Sequence, residues 1–231
     1  MMATTFKALS ALLSYPDGTL QDAAGDIIAV VRAEGLVAAP VLAGLEAFVR
    51  ELAAADLIDL QERYVDLFDR SRRLSLHLFE HVHGESRDRG QAMVDLAALY
   101  EKGGLMLAGN ELPDYLPLFL EYLSTRPLDE ARGVLADALH IVVALEERLA
   151  ARHAGHAAVL AAIRSAAGDH AARPEGVDPA AESEGDLAAL DAAWEETAVT
   201  FGPGDQFDGC SVDRLRIQMR AGSRDARQAG G

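Results

Sequence analysis

The 231-residue sequence has one cysteine, Cys210, and lacks any long apolar run free of charge. A single thiol cannot form an intramolecular disulfide, which fits a reducing compartment. Even the most apolar segment, residues 141–145, is followed directly by Glu146, whereas a membrane-spanning helix needs about 20 consecutive apolar residues. The N-terminal residues have helical spacing and predict a first helix, not a signal peptide. We therefore expect a cytoplasmic protein with no membrane-inserted segment.

Basic residues are also scarce: 21 Lys and Arg stand against 37 Asp and Glu, which gives a net charge of -16. A chain with this charge repels phosphate backbones and anionic lipids, so nucleic-acid binding is disfavoured. Basic or apolar partners suit it better. Half of the residues are apolar, which is enough for a substantial core.

Alternating β-branched residues are rare, and apolar residues recur at spacings of three and four, as in amphipathic helices. We predict an all-α fold, a single multi-helix globular domain over residues 1–167. Proline, glycine and capping residues place the expected helices as follows: one ended by Pro16 and Gly18, one over 19–34, one from Pro40, one capped by Asp56, one over 74–83, one over 86–100, one from Asp114 or Tyr115, one from Pro127, and one ending near Ala167.

From residue 168 the composition changes. Residues 175–208 contain ten Asp or Glu and no Lys or Arg, with glycine and proline scattered among them. This composition is typical of a mobile segment. We predict that residues 168–231 form a mostly irregular tail, in which an acidic linker carries a short amphipathic helix over 186–197 and leads into an Arg-containing disordered end.

Histidines are concentrated between residues 77 and 83. On a helix, His77 and His81 would lie at i and i+4 on one face, as two metal ligands do. His83 would point elsewhere, and no second ligand cluster is evident, so we expect no bound metal. A His-dependent metal enzyme nevertheless stays open as an alternative. The sequence contains no G-x-S-x-G turn or phosphate-binding loop, and we predict that the protein is not an enzyme.

Two predicted helix starts carry more charge than capping requires. In the first, SRDRGQ at 86–91, Arg87 and Arg89 lie at the positive end of a helix dipole, which disfavours them. The second, ELPDYLP at 111–117, has two carboxylates, Glu111 and Asp114, that the dipole stabilises. These carboxylates could simply cap a proline-started helix, or they could bind a cationic peptide beside Tyr115.

Three ordered motifs carry a resemblance to a known family. They are Y-x-x-L-F-D at 64–69, S-L-x-L-F-E-H-x-H-G-E-S-R-D-R-G-Q-A-M at 75–93, and E-L-P-D-Y-L-P at 111–117. Together they closely resemble the NarJ family of molybdenum-cofactor assembly chaperones for respiratory nitrate reductase, within the wider TorD-like chaperones. TorD-like relatives have His at the position of Tyr115. The tyrosine at this position resembles the NarJ branch.

The resemblance implies an all-helical, non-catalytic chaperone of the TorD-like type. Its partner would be the N-terminal segment of the apo catalytic subunit of nitrate reductase, held in the cytoplasm until the molybdenum cofactor is inserted. No cofactor is expected to bind the chaperone itself tightly. The expected peptide contacts are Glu111, Asp114, Tyr115 and Leu116, with His77, His81, Arg87 and Asp88 lining or bracing the groove. A structural helical adaptor that binds through apolar stripes is the other alternative.

Overall fold

The computed structural model describes residues 3–70, 72–82, 87–107 and 111–168, with Arg87 and Asp88 described by their backbone alone. Within these ranges the chain is helical, and its one strand-like feature is an isolated bridge. The helices are α1 Thr4–Leu12, α2 Gly18–Asp22, α3 Ala24–Glu34, α4 Ala39–Ala54, α5 Leu57–Phe68, α6 Arg87–Lys102, α7 Leu116–Ser124, α8 Leu128–Ala151 and α9 Ala157–Ala166. Two short 3₁₀ segments, Arg72–Leu74 and Leu78–His81, lie between α5 and α6. The predicted all-α fold is confirmed.

The core is centred on α8, whose long apolar face meets α7 and α9. Its Leu135, Val142 and Leu145 have no exposed surface. α1 packs across α7, α3 and α9, and α4 packs against α9 and α3. Burying one leucine side chain completely stabilises the folded state by about 1.5–3 kcal/mol, so this contiguous apolar cluster is the main source of stability.

Capping chemistry sets several helix ends as predicted. Asp56 caps α5, because its carboxylate accepts hydrogen bonds from the backbone N–H groups of Ile58 at 2.8 Å and Asp59 at 3.4 Å. Gly35 ends α3 in the left-handed conformation, with φ of 65°, which glycine adopts without steric cost.

The single helix predicted over residues 19–34 is wrong, because the chain forms α2 and α3 with a break at Ala23. Asp17 caps α2 through the N–H of Leu20 at 2.8 Å. The side chain of Gln21 donates to the carbonyl oxygens of Leu52 and Ala55 at 3.0 and 2.9 Å, respectively. These contacts tie α2 to the end of α4, so tertiary hydrogen bonds override a continuous helix.

The helix predicted over residues 74–83 is also wrong. Between its two 3₁₀ segments the chain is extended, and His77 forms an antiparallel bridge with Tyr115. The N–H of Leu78 donates to the carbonyl of Asp114 at 2.9 Å, and the N–H of Leu116 donates to the carbonyl of Leu76 at 2.8 Å. A partner far along the chain therefore fixes this segment in place of local helical bonds.

None of the helices in the described ranges is long and apolar enough to cross a membrane. Residues 169–231, including the predicted helix over 186–197, lie outside the described part of the chain. The boundary near residue 168 and the character of the tail remain predictions.

Candidate functional site

Asp114 lies at the centre of a polar cluster beside the bridge. Its side chain is completely buried. One carboxylate oxygen accepts a hydrogen bond from the N–H of Phe79 at 3.1 Å, and the other lies 3.1 Å from Nδ1 of His77. An ionised carboxylate can only accept, so Nδ1 of His77 carries the proton in this pair. The predicted capping role of Asp114 is wrong, because α7 begins at Leu116 without a side-chain cap.

Arg89 closes the far side of this cluster. Its guanidinium lies 3.4 Å from the carboxylate of Glu80 and 3.9 Å from that of Asp114. An arginine in the first turn of α6 is disfavoured by the helix dipole, and these carboxylates offset that cost. The excess charge noted in the sequence is, at Arg89, an ion-paired cluster that joins α6 to the segment before α7.

The two histidines of this region have different surroundings. The hydrogen bond to Asp114 raises the pKa of His77 above its ordinary value, outweighing the opposite effect of burial. Burial lowers the pKa of His81, whose Nε2 lies 2.8 Å from the carbonyl oxygen of Ser75. His77 ends an extended stretch and His81 lies in a 3₁₀ turn, so they do not share one helix face. No group of three or more potential ligands among the described residues is placed to hold a metal ion.

An open cleft of about 270 Å³ lies next to the bridge. Its walls come from the start of the chain, the end of α5, the extended stretch before residue 78, and the loop that leads into α7. The lining residues are Tyr15, Tyr64, Phe68, Asp69, Ser75, Leu76, His77, Glu111 and Tyr115. All three motifs that carry the family resemblance therefore meet at this one cleft.

Aromatic side chains shape the cleft. The hydroxyl of Tyr64 donates to the carbonyl oxygen of Leu13 at 2.9 Å and lies 3.0 Å from the hydroxyl of Tyr115. Because the Tyr64 hydroxyl already donates its proton to the carbonyl oxygen of Leu13, the Tyr115 hydroxyl is the donor in the hydrogen bond between the two tyrosines. The Tyr15 ring meets the Tyr64 ring edge-on at 5.5 Å, and the Tyr115 ring lies 5.4 Å from the His77 ring. Burial raises the pKa of Tyr64 and Tyr115, so both hydroxyls stay protonated.

The structure divides the predicted site residues into three groups. Glu111, Tyr115 and His77 line the cleft. Asp114 and Leu116 have no exposed surface, so in this conformation they support the cleft wall without reaching a ligand. His81 lies behind the wall against Ser75, and the side chains of Arg87 and Asp88 are outside the described part of the chain.

Sequence reasoning missed six of the nine lining residues: five that belong to the first two quoted motifs, and Tyr15. Tyr64, Phe68 and Asp69 belong to the first quoted motif, so a signal was present, but the motif alone does not show which of its side chains face an opening. Tyr15 belongs to the turn after α1, and nothing in its local sequence connects it to residues one hundred positions away. Its place in the cleft lining is seen only in the folded structure.

The chain matches a known protein family and is similar to several known proteins. Residues 35–170 match the family described as the nitrate reductase delta subunit. The chain is 42% identical over 195 residues to NarJ of Escherichia coli K12, a nitrate reductase molybdenum cofactor assembly chaperone, and the match covers 84% of this chain and 83% of NarJ. It is also 42% identical over 221 residues to NarW of the same strain, assigned as such a chaperone, with 95% of this chain and 92% of NarW covered.

Among solved structures, the chain is similar to a protein from Archaeoglobus fulgidus assigned as a redox enzyme maturation protein. The TM-score is 0.52 at 27% identity, and the match covers 71% of this chain and 92% of that one. These similarities confirm the family that the three sequence motifs indicated.

Proposed function

Because this chain belongs to the nitrate reductase delta subunit family, we propose that it binds the N-terminal segment of the apo catalytic subunit of nitrate reductase through the cleft next to Tyr115. Its relatives are assembly chaperones, and the chain is a system-specific chaperone, not an enzyme. It would hold its partner in the cytoplasm while the molybdenum cofactor is inserted, before the partner reaches the membrane.

The observation that carries this proposal is the convergence of the three family motifs on the cleft. They are separated along the chain, yet Asp69, His77 and Glu111, one from each, line the same opening. A peptide segment that enters the cleft would contact aromatic side chains, carboxylates and the edge of the His77–Tyr115 bridge. This mixture suits peptide recognition, because apolar contact supplies affinity and complementary charge supplies specificity.

The bridge between His77 and Tyr115 gives the cleft a firm wall. Backbone hydrogen bonds on both sides of it, together with buried Asp114, fix the extended stretch against the start of α7. A preformed wall lowers the cost of ordering the chaperone when it binds. Asp114 and Leu116 would therefore act by positioning Tyr115 rather than by touching the peptide.

Calorimetric titration of a synthetic N-terminal peptide of the cognate catalytic subunit tests the proposal. The variant Glu111→Ala removes a cleft carboxylate, and we expect affinity to fall about tenfold, which corresponds to about 1.4 kcal/mol. Glu101→Ala is the matched control, because Glu101 is exposed on α6 and does not line the cleft. Equal affinities of Glu111→Ala and the control, or no binding by the wild type, would contradict the proposal.

Co-expression with the catalytic subunit gives a second readout. The wild-type chain should co-purify with the apo subunit, and deletion of the N-terminal segment of that subunit should abolish the complex. Retention of the complex after that deletion would place the contact elsewhere.

A further inference from the structure

Three hydrogen-bond donors of the cleft are already used within the protein. The hydroxyl proton of Tyr64 is used on Leu13, and that of Tyr115 is directed at Tyr64. Nδ1 of His77 is used on Asp114. These three donors are therefore used within the protein, whereas the carboxylates of Asp69 and Glu111 remain available as acceptors for a ligand that carries donors.

Two carboxylates, Asp69 and Glu111, supply the negative charge of the cleft. Both are exposed, and neither forms an ion pair with another residue in the described part of the chain. Burial is the largest cause that raises the pKa of the Tyr115 hydroxyl, and the charges of Glu111 and Asp69 raise this pKa further. Both carboxylates therefore lie close to the hydroxyl. No Lys or Arg is among the lining residues of the described chain.

His77 does not neutralise them either. It is the one cleft-lining side chain of the described residues that can become cationic at physiological pH. Its ring is paired with the buried carboxylate of Asp114, and any charge on the ring is offset there. Protonation of His77 is thus balanced by Asp114 and leaves the charges of Asp69 and Glu111 as they are.

The aromatic faces complete the arrangement. Tyr15 is 51% exposed and stands edge-on to Tyr64, and both rings line the cleft together with the two carboxylates. The negative face of an aromatic ring attracts a cation. The same rings provide an apolar surface for the aliphatic stem of a long basic side chain.

We propose that the cleft binds one basic side chain, with its charged group between Asp69 and Glu111 and its stem against Tyr15 and Tyr64. The inference rests on the proposed function in one respect: the side chain belongs to the bound N-terminal segment. It adds a specificity determinant, because a segment without a basic residue at the matching position would bind weakly. Asp69 and Tyr15, which the motif reading did not identify as contacts, would then act in recognition.

Small probes test this inference without the partner. Nuclear magnetic resonance titrations of the full-length chain would use Nα-acetyl-arginine N-methylamide, its lysine counterpart, and its citrulline counterpart, which keeps the shape of arginine without the charge. We expect at least one cationic probe to shift the ring signals of Tyr15 and Tyr64, and citrulline to shift them much less. Shifts of equal size with citrulline would overturn the inference. The arginine and lysine arms then distinguish which side chain fits better.

Charge-neutralising variants locate the site. Asp69→Asn and Glu111→Gln should each weaken binding of the cationic probe about three- to fivefold, as the loss of an exposed charge contact predicts. Glu62→Gln is the matched control, since Glu62 is exposed on α5 and does not line the cleft. Equal losses in all three variants would indicate general attraction to an acidic protein and would overturn the inference.

The peptide titration separates this inference from the proposed function. If the N-terminal peptide binds equally well after its basic residues are replaced by citrulline, the basic-side-chain inference fails while the chaperone proposal stands. If the peptide does not bind but the cationic probes bind at the cleft, the proposed partner is wrong while the inference about the cleft stands. Tight binding that is lost on citrulline substitution would support both.

Discussion

The α8 core and the cleft are held together by different interactions. In the core, α1, α7, α8 and α9 bury apolar faces against one another. At the wall of the cleft that carries the His77–Tyr115 bridge, the chain is extended and leads into a 3₁₀ turn, and the buried carboxylate of Asp114 accepts backbone and side-chain hydrogen bonds. The comparison indicates that the core supplies stability, whereas the cleft shapes a binding surface and depends on a few specific polar contacts.

The largest expected effect is in the core. Phe119 of α7 is completely buried, and Phe119→Ala should lower the free energy of unfolding by about 3–5 kcal/mol through lost burial and a new cavity. Urea denaturation followed by circular dichroism measures it. Ile58→Ala, at a side chain that is 64% exposed, should change the free energy by less than about 0.5 kcal/mol. Similar effects for the two variants would show that the core is not the main source of stability.

A single polar substitution should have a large effect at the cleft. Asp114→Ala leaves the N–H of Phe79 and the ring of His77 without their acceptor, and should cost about 2–3 kcal/mol of unfolding free energy. The matched substitution Glu111→Ala, at an exposed carboxylate three residues earlier, should cost less than about 0.5 kcal/mol.

The binding readout sharpens this comparison. Asp114→Ala should also weaken binding of the N-terminal peptide under conditions where the variant is still folded. The reason is that the cleft wall containing the His77–Tyr115 bridge loses its support. If Asp114→Ala and Glu111→Ala were equally stable, the buried carboxylate would not be what holds the cleft wall.

The sequence predicted the core much better than the cleft, for a physical reason. An apolar stripe such as that of α8 repeats every three to four residues, and local spacing alone reveals it. Asp56 and Gly35 mark helix ends through interactions with immediate neighbours. The same periodicity misled at residues 74–83, where apolar side chains at helical spacing belong to an extended stretch and two 3₁₀ segments.

Long-range partners explain that failure. The extended stretch exists because Leu76 and Leu78 exchange backbone hydrogen bonds with Asp114 and Leu116, nearly forty positions away. Nothing within a helix-length window contains this information. The motifs did identify three residues at the cleft through family resemblance, but they could not show that Asp114 is buried and Glu111 is exposed, because both belong to the same polar motif.

A third prediction compares two histidines by the pH dependence of stability. His156 packs near the rings of Phe48 and Phe68, with centroids 4.8 and 5.1 Å away. Burial, assisted by Arg63, lowers its pKa from 6.5 to about 4. The unfolded chain therefore binds the proton more tightly than the folded one between these values, and stability should fall as pH falls through this window.

The shift corresponds to at most about 3 kcal/mol, and partial access of solvent to the ring reduces our expectation to about 1–2 kcal/mol between pH 7.5 and 5. His156→Phe keeps the aromatic volume and removes the titration. Urea denaturation at the two pH values should show a flatter pH dependence for the variant. Parallel curves for wild type and variant would show that His156 does not contribute to acid sensitivity.

The smallest expected effect has the opposite sign and belongs to the cleft. The hydrogen bond with Asp114 raises the pKa of His77 above 6.5, so the folded chain binds this proton more tightly than the unfolded chain. The resulting stabilisation is fully present below the unfolded value and is lost as pH rises through the folded value. Because the His77 side chain is 29% exposed, solvent screening should limit the effect to about 1 kcal/mol.

His77→Gln tests this sign. The variant should be destabilised relative to wild type more at pH 6 than at pH 8.5, whereas the difference between His156→Phe and wild type should change in the other direction over acidic pH. Histidine ring signals in nuclear magnetic resonance titrations would assign each proton to its residue. If the stability difference caused by His77→Gln were the same at both pH values, the His77–Asp114 pair would stabilise the fold through packing and not through the charge of the ring. The cleft would then share with the core a dependence on packing rather than on charge.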